Sequence, residues 1–132
     1  KGIDLKPLLE NPGYYLSTTI KANHRRLEQA LRNLIENAIR YSPEKSKVTI
    51  RSRYTNDEIK ISIQDNGPGI SPEDQSKIFE RFYRVDKSRD RDTGGSGLGL
   101  AIVKHIINRH RGRLRVESDL GQGSVFTVIL PK

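Results

Sequence analysis

Between His24 and Tyr41 the apolar residues Leu27, Leu31, Leu34, Ile35 and Ala38 recur three and four positions apart. That period is helical and predicts the longest helix of the chain over 24–41, with Asn23 as N-cap and Ser42-Pro43 as stop. The period then falls to two. "KVTIRSRY" and "EIKISIQD" alternate apolar and polar residues on either side of Asn56-Asp57, the pattern of a β-hairpin. A second helix is predicted from about Leu98 to Arg111. "RLRVES" and "SVFTVIL", joined by "DLGQG", close the chain as two more strands. Ahead of the first helix, "YYLSTTI" reads as a strand and "IDLKPLLENPG" as a lead containing one helical turn. The predicted class is α+β: a two-layer α/β sandwich, a mixed sheet with helices on one face.

Composition narrows this only a little. The 132 residues suit a single domain, 1–132. A net charge of +8 calls for an anionic partner, whether nucleotide, nucleic acid, acidic protein or membrane surface. The absence of cysteine excludes a disulfide framework and a thiolate metal site. No apolar run approaches the ~20 residues that span a bilayer, so this stretch is not expected to insert in a membrane. There is no methionine even at position 1, from which the chain is expected to be part of a longer protein.

Four places carry candidate chemistry. On the first helix, turning by ~100° per residue brings Asn33, Asn37 and Arg40 together along one border of the apolar arc, while Glu36 points away. Asparagine is a poor helix former, so the stripe is either a partly exposed polar edge or a pair of amide oxygens for a hard cation, with Arg40 near phosphate oxygens. In "EIKISIQDNGPGI", alternation puts Asp65 on the same side as Ile59, Ile61 and Ile63, so a carboxylate is aimed into the core. It either caps its own Asn66-Gly67 turn or accepts from a ligand such as a purine amine. Gly67 and Gly69 bracket Pro68 and let backbone approach a flat ligand.

The third place is "IFERFYRVDKSRDRD", where Phe79, Phe82 and Tyr83 read as core or as a hydrophobic anchor. The charged stretch from Asp86 to Asp92 that follows reads as a mobile loop, as a lid would be. In the fourth, "GGSGLGL", Gly95, Gly97 and Gly99 bring bare backbone N–H groups to a helix N-terminus, a ready site for phosphate, with Ser96 adding a hydroxyl. Alone, the glycines read as a flexible loop sooner than as a phosphate site; the spacings of G-x-G-x-x-G and of the P-loop are absent.

Taken in chain order, these stretches resemble the ATP-binding catalytic domain of sensor histidine kinases, of a superfamily that includes DNA gyrase, mismatch-repair ATPases and a heat-shock chaperone. "LEQALRNLIENAIRYSP" is similar to the N box, "DNGPGI" to the first glycine box, "IFERFYR" to the F box and "GGSGLGLAIVK" to the second glycine box. "GQGSVFTVILP" resembles the closing strand, and the likeness runs from about Leu5 to Pro131. It implies the Bergerat-type fold and a domain that binds ATP and Mg²⁺. Asn37 with Asn33 would hold the metal, and Arg40 and Tyr41 would lie near phosphate and ribose or base; Asn33, Asn37 and Arg40 would be the catalytic group. Asp65 would accept from the adenine amine, with Gly67, Gly69 and Ile70 lining the base pocket. Phe82 of the F box would also belong to the nucleotide site. Gly95, Ser96, Gly97, Leu98, Gly99 and Leu100 would wrap the phosphates, and residues 84–94 would form the lid, where Arg84, Lys87, Arg89 or Arg91 either approach the phosphates or stay solvated among Asp86, Asp90 and Asp92.

Hydrolases of the superfamily carry Glu where Asn33 stands, and an amide cannot take a proton from water. The resemblance therefore implies γ-phosphoryl transfer to a histidine on a separate dimerisation hairpin, in two-component signalling. Further expectations follow: a response regulator as partner, no nucleic acid, a homodimeric parent and a cytoplasmic location, the parent being cytoplasmic throughout or an inner-membrane sensor. Some positions depart from the usual pattern: Ser96 replaces Thr, Arg40 replaces Lys and Asn23 replaces Asp. In the family's phosphoacceptor motif an acidic residue follows the histidine. His24, His105 and His110 are followed by Arg25, Ile106 and Arg111, so none matches. His105 reads as a packed or border residue, His24 and His110 as surface. Two alternatives stand beside the kinase: a non-catalytic nucleotide-binding regulatory module, and a nucleic-acid binder suggested by charge alone.

Overall fold

A computed structural model describes residues 4–9, 24–81 and 99–131, with 4–9 and His24 described by backbone alone. The order is β1 (Asp4–Leu9), α1 (His24–Tyr41), β2 (Lys47–Tyr54), β3 (Glu58–Asp65), α2 (Pro72–Gln75), α3 (Gly99–Arg109), β4 (Arg113–Asp119) and β5 (Gly123–Pro131). The five strands form one sheet in the order β1-β2-β3-β5-β4. β1 runs parallel to β2 and the other three pairings are antiparallel, so the sheet is mixed, as expected.

The hairpin forms where the alternation predicts it. Tyr54 pairs with Ile59, and the turn is locked by Thr55, whose Oγ1 accepts from the Asp57 and Glu58 amides at 3.3 and 3.0 Å. The strands beside it stack their core-facing residues in rows: Ile61 with Val128 and Leu114, then Ile63 with Phe126 and Val116, then Asp65 with Ser124 and Ser118. Two rows are apolar and the third, at the end of β3, is wholly polar. Ala30, Leu34 and Ala38 of α1 and Val103, Ile106 and Ile107 of α3 close over the apolar rows with Val48, burying one core between helices and sheet. Residues of opposite parity, such as the cross-strand pair Ser62 and Thr127, make the polar outer face.

Three features differ from the sequence reading. Of the "IDLKPLLENPG" lead, the described residues 4–9 form a strand and not a helical turn. Among the described strands β1 is at the edge of the sheet and pairs with β2, a position that tolerates Pro7, and pairing with Lys47–Ser52 outweighs the local turn signals. The buried seam of α1 is Ala30-Leu34-Ala38; Leu27, Leu31 and Ile35 are only half-buried. The alanines are the seam because small side chains let α3 approach closely. The charged stretch after the first glycine box opens with α2, capped by Ser71, whose Oγ accepts from the Asp74 amide with Pro72 at the first helical position. The second long helix ends at Arg109 and closes through Arg111 at φ 58°, with the Gly112 amide donating to Ile107 O at 2.9 Å. The predicted strand "YYLSTTI" and the cap Asn23 lie outside the described residues.

Leu34 is 1% exposed at the centre of this core. Leu34→Ala is expected to cost about 2–5 kcal/mol of unfolding free energy, read by denaturant titration, because neighbouring side chains cannot collapse into the space.

Candidate functional site

The polar row at the end of β3 is the natural starting point. Asp65 is 6% exposed, and its Oδ1 accepts from the Gly67 amide at 2.8 Å. This is the Asx turn that the local sequence allows. The Ser124 amide donates to the same carboxylate. Burial pushes the carboxyl above its ordinary range, and the Gly67 and Ser124 amides offset part of that rise. No cation among the described residues contributes to its electrostatics. A carboxylate has about four acceptor sites, so two are left unused by the described residues.

The loop after Asp65 is clamped from both sides. A Cβ at Gly67 would meet Tyr41 O at 2.7 Å, so bare backbone is needed where the loop abuts the last turn of α1. Gly69 has φ 79° and lies against the backbone of Asp119 and Leu120. Both glycines thus serve contacts within the protein, a reason beyond ligand approach. The Gly121 amide donates to Pro68 O at 2.8 Å, and the Ile70 amide to Ser118 Oγ at 2.7 Å, fastening the loop to the β4–β5 turn.

α1 reaches this place because Ser42 ends it: its Oγ donates to Ala38 O at 2.6 Å and its amide to Ile39 O at 3.3 Å. Its last two turns carry Asn37, Arg40 and Tyr41, with Asn33 one turn earlier. The two asparagines and Arg40 are half-buried, Tyr41 is exposed, and Glu36 is exposed as predicted. Ile70 and Leu100 are partly buried and both pack against the hydrophobic core. Gly99 opens α3, and a side chain there would meet none of the described residues within 4 Å. The structure therefore groups Asp65, Gly67, Gly69 and Ile70 with the end of α1. Phe82, Gly95, Ser96, Gly97, Leu98 and the lid 84–94 lie outside the described residues.

Among the described residues no three His, Asp or Glu side chains cluster as metal ligands. A cation on the α1 stripe would have to use neutral amide oxygens and take its charge balance from a ligand. Asn33 and Asn37, half-buried one turn apart, fit a hard ion brought in by phosphate oxygens.

Two surface depressions lie elsewhere. One, of about 550 Å³, runs along Leu27, Leu31 and Ile35. The other, of about 1200 Å³, lies beside Phe79, Lys104 and Arg109. Phe79 there meets Phe126 edge-on, with ring centroids 6.3 Å apart, and Lys104 Nζ lies 5.7 Å from its centre. Phe79 is thus a half-buried anchor. His105 is exposed, contrary to its reading as a packed or border residue, because it falls outside the Val103-Ile106-Ile107 seam. His110 is half-buried instead of surface, its Nδ1 2.8 Å from Ile106 O.

Sequence reasoning missed Ser118, Ser124 and Gln75. Ser124 is 5% exposed beside Asp65, and Gln75 Nε2 donates to Ile70 O at 2.7 Å and Ser118 O at 3.0 Å. The only signal for the serines was their symmetric position about "DLGQG", which pairs them across the turn.

Residues 22–132 match the family described as histidine kinase-, DNA gyrase B- and HSP90-like ATPase. The chain belongs to that family. Among curated relatives, the sensor-like histidine kinase SenX3 of Mycobacterium tuberculosis is 56% identical over 105 residues, covering 80% of this chain and 26% of that protein. The phosphate regulon sensor protein PhoR of Pseudomonas aeruginosa is 45% identical over 108 residues, 82% of this chain and 24% of that one. The chain thus spans about a quarter of these sensor kinases. Among solved structures, full-length ShkA in complex with AMPPNP superposes with a TM-score of 0.81 at 32% identity, over 98% of this chain and 26% of that one. The α+β fold is therefore that of histidine kinase catalytic domains within the ATPase family. No helix among the described residues is long and apolar enough to cross a membrane.

Proposed function

We propose that the chain binds Mg²⁺-ATP and presents the γ-phosphate to a histidine supplied by a separate phosphoacceptor hairpin, in two-component signalling. The observation that carries this reading is Asp65: a buried carboxylate with spare acceptor capacity beside the helix end that bears Asn37, Arg40 and Tyr41. An adenine amine is the donor that such a group lacks. Gly67, Gly69 and Ile70 give the base its floor and Arg40 faces phosphate oxygens. Gly95, Ser96, Gly97, Leu98, Gly99 and Leu100 are assigned to the phosphates at the start of α3, and Phe82 to the anchor of the lid.

In the transfer, a ring nitrogen of the acceptor histidine forms a bond to the γ-phosphorus. The bond to the β–γ bridging oxygen breaks, ADP leaves with that electron pair, and the ring's other N–H gives its proton to solvent. Mg²⁺, held through Asn33 and Asn37, supplies neutralisation of the phosphate charge. The chain's own task is to fix the base through Asp65, orient the phosphates and keep water unactivated, since Asn33 is no base. The chain spans a quarter of its relatives, so the hairpin, the response regulator, the homodimeric parent and the cytoplasmic location belong to this proposal. No nucleic-acid partner is part of it.

Asn37→Ala is expected to abolish the Mg²⁺ dependence of ATP affinity, measured by titration with and without chelator; an unchanged response would move the cation off α1. A pH dependence also follows. The amine donates more strongly to ionised Asp65 than to the protonated carboxyl, and in the free protein burial raises that carboxyl's pKa. Affinity is therefore full above that raised pKa and falls as pH drops through it, at a higher pH than for an ordinary aspartate. The difference between wild-type and Asp65→Asn affinities across pH isolates this limb from the titration of ATP itself, and an equal slope in both proteins contradicts it.

A further inference from the structure

The polar row at the end of β3 has a proton arrangement that can be read from its partners. Ser118 Oγ accepts from the Ile70 amide at 2.7 Å and lies 2.9 Å from Gly123 O, a carbonyl that can only accept. The single proton of Ser118 is therefore committed to Gly123. The remaining contact, 2.8 Å to Ser124 Oγ, must then be donated by Ser124. Ser124 pairs with Asp65 in register and its amide donates to the Asp65 carboxylate; with its hydroxyl proton given to Ser118, its lone pairs accept from no described residue. Gln75 holds Ser118 from outside through its carbonyl.

We propose that Ser118 is a specificity-determining positioning residue of the base pocket: by fixing the Ser124 proton it makes the Asp65–Ser124 edge a pure acceptor. The inference rests on the assignment of the base to Asp65. An adenine presents an N6 amine, a donor, at the edge where guanine presents the O6 acceptor. A pure acceptor edge receives the first and repels the second, and sites with committed polar groups discriminate strongly. With Ser118 gone, the Ser124 hydroxyl is free to rotate and donate to O6.

The test is a comparison of affinities for ATP, GTP and inorganic triphosphate below each variant's melting transition. Ser118→Ala is expected to bind ATP about tenfold more weakly, as loss of an ordered polar contact implies, with GTP unchanged or tighter and triphosphate unchanged. The isosteric pair Ser118→Thr and Ser118→Val keeps the comparison open should the alanine variant not fold: Thr should retain the ATP-to-GTP ratio and Val should lose it. Ser62→Ala, which removes a hydroxyl paired with Thr127 on the outer face, should leave the ratio alone. The proposal is overturned if Ser118→Ala or Ser118→Val keeps the wild-type ratio, whether both nucleotides hold their affinity or weaken together. A wild-type protein with no preference for ATP over GTP would instead overturn the assignment of Asp65 itself, and this inference with it.

Discussion

Asp65→Asn is expected to weaken ATP binding by about 2–3 kcal/mol, roughly 30- to 150-fold, while inorganic triphosphate binds as before. The magnitude follows from burial. At 6% exposure the carboxylate is largely shielded from water, and its partners among the described residues are the amides of Gly67 and Ser124. An asparagine keeps the shape and one acceptor oxygen, so the Gly67 turn survives. Its NH₂ group, however, takes the place of the second acceptor oxygen and puts a donor where the site must receive one. Protein stability should not fall in proportion, because the variant also removes a buried charge that burial disfavours. Calorimetric titration separates the outcomes. Equal losses for ATP and triphosphate would place the base elsewhere.

The second large effect is expected from Gly123→Ala. Gly123 has φ 106°, a region that side chains rarely enter, and an added Cβ would collide with the carbonyl of Asp65. Backbone strain and overpacking together predict a loss on the order of 3 kcal/mol in unfolding free energy. Relief must come from parting β3 and β5 at the Asp65–Ser124 pair, which is where the base is assigned. Stability and ATP affinity should therefore fall together in this variant, whereas Leu34→Ala, at the centre of the core, should lower stability with little change in the affinity of the folded protein. Thermal melting with nucleotide titration distinguishes the two patterns. A Gly123→Ala protein as stable as wild type would mean that the turn has another accessible conformation.

What the sequence made legible was set by locality. The α1 helix and the hairpin about Asn56-Asp57 depend on neighbouring residues, and both formed where their periods predicted. β1 was misread because its pairing with β2 is made across the whole of α1, which no local pattern reports. The seam Ala30-Leu34-Ala38 was hidden because leucines draw the eye to an arc that the partner helix does not share. Asp65 was legible as an inward-facing carboxylate from alternation alone. Ser118 and Ser124 were not, since their meeting with it depends on the register of three strands. The glycines of the first box were recognised as special for a ligand, yet their spacing also answers to Tyr41 and Asp119, contacts that only the folded chain contains.

The fate of the γ-phosphate separates histidine phosphorylation from nucleotide binding alone, and one incubation tests it. The chain, Mg²⁺ and ATP labelled at the γ-position are combined with an isolated histidine-bearing hairpin of a sensor kinase, SenX3 being a suitable source at 56% identity in the matching region. The account predicts label on the hairpin in an acid-labile, base-stable form, as a phosphorus–nitrogen bond requires, and its loss with Asp65→Asn or Asn37→Ala. ATP that binds tightly while the hairpin stays unlabelled, or label released wholly as orthophosphate, would contradict it.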